Sequence, residues 1–239
     1  MNQLEGKVAA ITGTSAGIGR ATARALVAEG MKVAGGARRG DRLKDLANEL
    51  GDAFVPVEMD VRVPADGSKL VEAARSAFGR LDVLVPNAGI GVYGGIMDQT
   101  DEQISAMIDT NVAGTVWPIR SAVPGMIEAG GGDIVIIASV AGIRGAGDEA
   151  VYAASKFAQV GLAGALDREL REKGIRVSVI APGGVATEFA MGTGRTPEMA
   201  GLEQMLRPED VAQAVVSVLK QPPTMRSLVW SMRSIHEAD

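Results

Sequence analysis

Short, nearly uninterrupted apolar runs alternate along the chain with longer stretches in which apolar residues return every three or four positions. Runs such as VAAIT, IVIIA and VSVIA are apolar on both sides of an extended backbone. Strands read this way when both faces are buried, as in a parallel sheet covered by helices. Strands are predicted at 7–12, 32–37, 53–60, 83–86, 133–138, 176–181 and 227–230, and helices at 17–29, 42–50, 64–78, 101–128, 152–173 and 208–220. Thr100 and Gln103 form a capping-box pattern ahead of the fourth helix. Pro64 and Pro208 suit a first helical turn, and Gly30, Gly51 and Gly174 sit where helices end. Pro118 and Pro124 predict that the fourth helix is kinked or broken late. The alternation implies an α/β class, a doubly wound parallel sheet of about seven strands with helices on both faces. No linker or repeat divides residues 1–239, so one domain is expected. Residues 188–207, rich in Gly, Met and Thr, read as a loop long enough to act as a lid over a substrate.

Composition narrows the function. Aromatic residues make up only 3% of the chain, which leaves little for stacking on single-stranded nucleic acid. The net charge of −5 gives no sign of a phosphate-backbone binder. With no cysteine and one histidine, His236 near the end, neither a thiolate metal site nor a serine–histidine hydrolase is expected, and no metal is expected. No leader pattern and no run of eighteen apolar residues is visible, so a cytoplasmic protein without a membrane partner is expected.

Three stretches carry chemistry. The first strand runs into TGTSAGIG, with glycines at 13, 17 and 19. In a strand-to-helix turn such glycines let the backbone approach a pyrophosphate, at which the next helix aims its free N–H groups, as in a Rossmann fold. A tight turn without a ligand would read the same way. At the end of the second strand, where a site for NAD usually carries an acid for the ribose hydroxyls, the chain reads GGARRGDRL. Ala37 takes the acid's place, and Arg38 and Arg39 follow, a pattern that favours a 2′-phosphate. Finally, VYAASKF sets Tyr152 and Lys156 one helical turn apart on one face. A nearby ammonium favours the phenolate and is expected to lower the phenol's pKa. A plain surface Tyr/Lys pair is the bland alternative.

Together these motifs resemble the short-chain dehydrogenase/reductase family in its one-domain form, over nearly the whole chain from Gly6 to about Leu219. TGTSAGIG resembles its T-G-x-x-x-G-x-G, PNAG (86–89) its N-N-A-G with Pro86 for the first Asn, and PGGVAT (182–187) its P-G-x-x-x-T. The resemblance implies an oxidoreductase that moves a hydride between a nicotinamide and a carbonyl or secondary alcohol. It implies Asn111, Ser139, Tyr152 and Lys156 as the catalytic set. Tyr152 would be the general acid/base, Ser139 would orient the carbonyl, Lys156 would tune Tyr152 and hold the ribose, and Asn111 would hold a relay water behind Lys156. It implies cofactor contacts from Gly13, Thr14, Ser15, Gly17, Ile18, Gly19, Arg38, Arg39, Asp60, Val61, Asn87, Ala88, Gly89, Tyr152, Lys156, Pro182, Gly183, Val185 and Thr187, with NADP(H) preferred over NAD(H).

Substrate contacts are expected from Val92, Tyr93, Ser139, Val151, Phe189 and Met191, an apolar set that suits a small to medium ketone or aldehyde. Arg144 and Arg195 leave room for a carboxylate. The tail, PPTMRSLVWSMRSIHEAD, lacks the glycine-rich ending of many 3-oxoacyl-carrier-protein reductases and is more similar to the NADP-dependent 3-hydroxy acid and alcohol dehydrogenase subgroup. A 3-oxoacyl-[acyl-carrier-protein] reductase is the alternative, and a non-catalytic NADP(H)-binding sensor a further one. Relatives of this kind are commonly tetramers, so a homotetramer or homodimer is expected.

Overall fold

The computed structural model of the protein describes residues 3–237. Seven strands, β1 (Val8–Thr12), β2 (Lys32–Ala37), β3 (Phe54–Glu58), β4 (Val83–Val85), β5 (Gly132–Ile137), β6 (Ile175–Pro182) and β7 (Val229–Met232), form one sheet. Their order is β3-β2-β1-β4-β5-β6-β7, and every neighbouring pair is parallel. The helices are α1 (Gly17–Ala28), α2 (Gly40–Leu50), α3 (Pro64–Phe78), α4 (Asp101–Ile108), α5 (Gly114–Glu128), α6 (Ala150–Leu170) and α7 (Pro208–Leu219). This is the doubly wound parallel α/β arrangement of the Rossmann fold that the apolar runs predict.

The runs are apolar throughout because both faces are covered. In β1, Ala9 and Ile11 join a core with Leu26 of α1, Leu43 of α2 and Val215 of α7. Val8 and Ala10 point the other way, into a core with Leu70 of α3, Ile119 of α5 and Ala163 of α6. Successive strand residues face opposite sides, so each strand serves both cores. The paired glycines of β2 make space: a Cβ on Gly35 would come within 2.3 Å of the Phe54 ring. The chain fills the sheet outward from β1 to β3 and then crosses to β4 on β1's other side. That reversal opens a crevice at the carboxyl ends of β1 and β4, where open α/β sheets hold ligands.

The capping box of α4 forms as predicted, with Gln103 N donating to Thr100 Oγ1 at 3.3 Å and Thr100 N to Gln103 Oε1 at 2.9 Å. Pro64 and Pro208 open α3 and α7. Two expectations need correction. The helix expected over 101–128 does not break at its prolines but earlier, at a π turn spanning Asp109–Ala113. Pro118 has no N–H to offer the Gly114 carbonyl four residues back, and that position falls at the π-to-α junction, where the ladder shifts register anyway. Pro124 and Arg120, the residue whose carbonyl it fails to serve, are both exposed, so water can satisfy that group. The last strand, expected at 227–230, lies two residues later at Val229–Met232, pairing with Val179–Pro182 of β6.

Candidate active site

The turn after β1 is built to leave backbone open. Gly13 has φ +77° and Gly17 φ +53°, conformations that L side chains rarely adopt. The first turn of α1 has no side-chain cap and no acidic residue, so its N–H groups face the cleft unserved. Thr12 Oγ1 ties this turn to the next strand's end by accepting from the N–H groups of Asn87 and Ala88, each at 3.0 Å. Pro86 keeps its place in the sheet because its carbonyl accepts from Ile137 N at 3.0 Å.

A cleft of about 720 Å³ runs along these carboxyl ends. Of the expected cofactor residues, Gly13, Ser15, Gly17, Ile18, Arg38, Arg39, Asp60, Val61, Asn87, Ala88, Gly89, Tyr152, Lys156, Pro182, Gly183, Val185 and Thr187 line it. Thr14 and Gly19 do not. Thr14 is wholly buried with its hydroxyl toward the Gly36 carbonyl, and a Cβ on Gly19 would meet Gly13 O and Asn87 Nδ2 at 2.4 Å. Gly19 therefore serves the close packing of α1 on its turn. Of the expected substrate residues, Val92, Tyr93, Ser139, Phe189 and Met191 line the cleft. Val151 does not; it packs beside the small core of Val92, Met107 and Tyr152.

At the β2 end of the cleft Arg39 donates to Ser15 Oγ from Nε and Nη2, at 3.1 and 2.9 Å. Its Nη1 reaches Glu188 at 2.9 Å, and Arg42 Nη1 meets the same carboxylate at 2.7 Å. The two guanidiniums hold the Glu188 carboxyl below its ordinary pKa. Sequence reasoning missed Glu188, whose partners lie 149 and 146 residues away. Asp60 is held by Arg62, which keeps its carboxyl low.

At the other end Ser139 and Tyr152 share the cleft wall. Ser139 Oγ accepts from Ala141 N at 3.1 Å, so its own proton is free to donate, and its hydroxyl pulls the Tyr152 phenol toward a lower pKa. The Tyr152 ring stands between Tyr93 and Phe189, with centroids at 5.6 and 5.7 Å and tilted planes. Burial pushes the Tyr152 phenol up rather than down, and Ser139 only partly offsets it. Lys156 Nζ lies over the Tyr152 ring, 5.8 Å from its centroid, and donates to Ile137 O at 3.3 Å and Gln159 Oε1 at 2.9 Å. Burial lowers Lys156 itself to about 7. Arg195 lies near the same rings, with its guanidinium 5.9 Å from the Phe189 centroid.

Asn111 stands behind this wall and does not line the cleft. Its side chain clamps Ile90, accepting from Ile90 N at 2.8 Å and donating to Ile90 O at 2.9 Å. Its carbonyl accepts from Thr115 Oγ1 at 2.8 Å and Gln159 Nε2 at 2.9 Å. Both acceptor positions of that carbonyl are thus engaged by side chains of α5 and α6.

A family model described as short chain dehydrogenase matches residues 7–198. The chain belongs to this family. An uncharacterized oxidoreductase of Staphylococcus aureus (strain MRSA252) is 34% identical over 223 residues, 93% of this chain and 94% of that one. Among solved structures, the closed form of a serine dehydrogenase complexed with NADP+ superposes with a TM-score of 0.91 at 31% identity, covering 97% of this chain and 96% of that one. A 3-ketoacyl-(acyl-carrier-protein) reductase from Brucella melitensis complexed with NADH superposes at 0.89 with 31% identity, covering 98% and 99%. The family therefore spans relatives whose substrates and cofactors differ.

Proposed function

We propose that the protein is an NADP(H)-dependent carbonyl reductase or alcohol dehydrogenase, with Tyr152 as general acid/base. The observation that carries this reading is a single cleft that holds Ser139 and Tyr152 at one end and the uncapped start of α1 with Arg38 and Arg39 at the other. The residues present fit a nicotinamide dinucleotide. The first turn of α1 offers N–H groups to a pyrophosphate, and Arg39 with Ser15 offers charge-assisted bonds to a 2′-phosphate. Ala37, at the end of β2, brings no carboxylate to repel that phosphate.

When bound, the cofactor supplies or accepts the hydride. The chain does the rest. Ser139 donates to the substrate carbonyl oxygen and orients it. Tyr152 gives its phenolic proton to that oxygen as the carbonyl carbon becomes C–H, and takes the proton back in the reverse direction. A phenol raised by burial is fully protonated at neutral pH, which suits the donor role. Tyr93, Phe189 and Val92 form a largely apolar wall, which supports a small to medium ketone or aldehyde as substrate.

Leu228, Val229 and Trp230 leave apolar surface exposed along the edge strand β7, which supports a second copy of this chain as partner in a homodimer or homotetramer.

Cofactor consumption with a panel of ketones and aldehydes, NADPH and NADH run in parallel, tests the reading. Turnover that favours NADPH is expected, with Tyr152→Phe reduced by at least about a hundredfold. Tight NADPH binding without turnover, unchanged in Tyr152→Phe, would point to a sensor instead.

A further inference from the structure

Behind the cleft wall a polar chain joins two residues of the expected catalytic set, Asn111 and Lys156, through Gln159 and Thr115, which lie outside it. Gln159 follows Lys156 by three positions on α6, on the same face, and is 1% exposed. Its Oε1 accepts from Lys156 Nζ at 2.9 Å, and its Nε2 donates to Thr115 Oγ1 at 2.7 Å and to the Asn111 carbonyl at 2.9 Å. The amide's orientation follows from chemistry: an ammonium only donates and a carbonyl only accepts. The Asn111 carbonyl lies in the π turn, where the helical ladder shifts register.

We infer that Gln159 is the positioning residue of Lys156: its amide spans the gap from the Asn111 carbonyl to the ammonium and anchors that ammonium one turn behind Tyr152. This rests on the reading of the cleft proposed above and on the ribose-holding role that the family resemblance implies for Lys156. The ammonium is fully buried and has two neutral acceptors, Gln159 Oε1 and the more distant Ile137 carbonyl at 3.3 Å. No carboxylate contributes to its titration. The elements packed around it present Gly89 from the loop after β4, Ile137 from the end of β5, Asn111 and Thr115 from the π turn and α5, and Tyr152 from α6. Tyr152 is the titratable one among these; Asp109, the acid of the π turn, is exposed and faces Arg62. Without Gln159 Oε1, the charged form of Lys156 loses its shorter bond, and a buried charge that loses an acceptor releases its proton more readily.

A glutamine that merely fills the core would be matched in its effects by any change to the same network. Thr115→Val separates the two cases, since it removes a partner of Gln159 Nε2 and leaves Oε1 on Lys156. The experiment follows the 13Cε resonance of Lys156 from pH 5 to 10 in the full-length protein, which needs no turnover. NADPH affinity is measured on the same samples. Lys156 in the unmodified protein, lowered by burial, is expected to titrate near 7. Gln159→Met, with similar length and no strong acceptor, lowers that midpoint by roughly one to two pH units. Gln159→Glu raises it, and Thr115→Val leaves it in place while lowering Tm. In Gln159→Met, NADPH affinity relative to the unmodified protein falls severalfold at pH 8 and recovers only toward pH 5. An unmoved midpoint in Gln159→Met, or an equal shift in Thr115→Val, overturns the inference. Should no carbonyl be turned over while these shifts appear, the proposed activity fails and the positioning of Lys156 stands.

Discussion

Tyr152 and Lys156 show how differently one burial acts on an acid and a base. Desolvation penalises whichever form is charged, so it raises the phenol and lowers the ammonium to about 7. The lysine therefore costs stability, and the sign of the pH dependence follows. Below about 7 both folded and unfolded chains hold the proton and the cost is full. Between about 7 and the ordinary lysine value of 10.5 the unfolded chain binds more protons, so stability rises with pH. Lys156→Met removes this dependence. Its stability relative to the unmodified protein, measured by urea unfolding without cofactor, is expected to be highest at pH 7 and to decline toward pH 10, by up to about 4 kcal/mol. A gap that stays constant across that range would mean that Lys156 is not desolvated. The one-turn spacing of Tyr152 and Lys156 was legible in VYAASKF, because helical geometry alone puts them on one face. The direction of the phenol's shift was not, because it depends on Tyr93 and Phe189, which arrive from other segments.

Among the elements, caps and first-turn prolines were readable because they are local: Thr100 and Gln103 lie three residues apart and satisfy each other's backbone groups. The π turn was not readable. The prolines mark where a helix can lose a bond, but the break falls where Asn111 and Thr115 meet Gln159 of another helix. The loop after β6 is likewise set by distant partners. Tyr93 N donates to Thr193 O at 2.8 Å, Thr193 Oγ1 to Gly91 O at 2.8 Å, and Glu188 reaches Arg39 and Arg42. Glu188 thus shares its arginine with the site proposed for a 2′-phosphate. Glu188→Gln is expected to tighten NADP+ about two- to fivefold, the scale of an exposed ion pair, and to leave NAD+ affinity unchanged. Calorimetric titration of both nucleotides checks this, and equal gains for both would remove Glu188 from cofactor selection.

For the whole molecule, the exposed edge of β7 sets the prediction. Sedimentation of the purified chain is expected to show a dimer or tetramer, and Leu228→Glu, at a position 50% exposed, to move it toward smaller species with unchanged far-UV circular dichroism. A monomer in both samples would refute the role of this edge. The sequence by itself determined the α/β class, the glycine turn, the basic end of β2 and the Tyr152–Lys156 turn. All of these follow from periodicity or from neighbours within a few residues. Only the tertiary structure decided that Thr14, Gly19 and Val151 stay out of the cleft, that Glu188 meets Arg39, and that Gln159 stands between Asn111 and Lys156. Those outcomes depend on which side chains from remote segments compete for the same buried volume and the same hydrogen-bonding groups, and neither periodicity nor spacing along the chain carries that information.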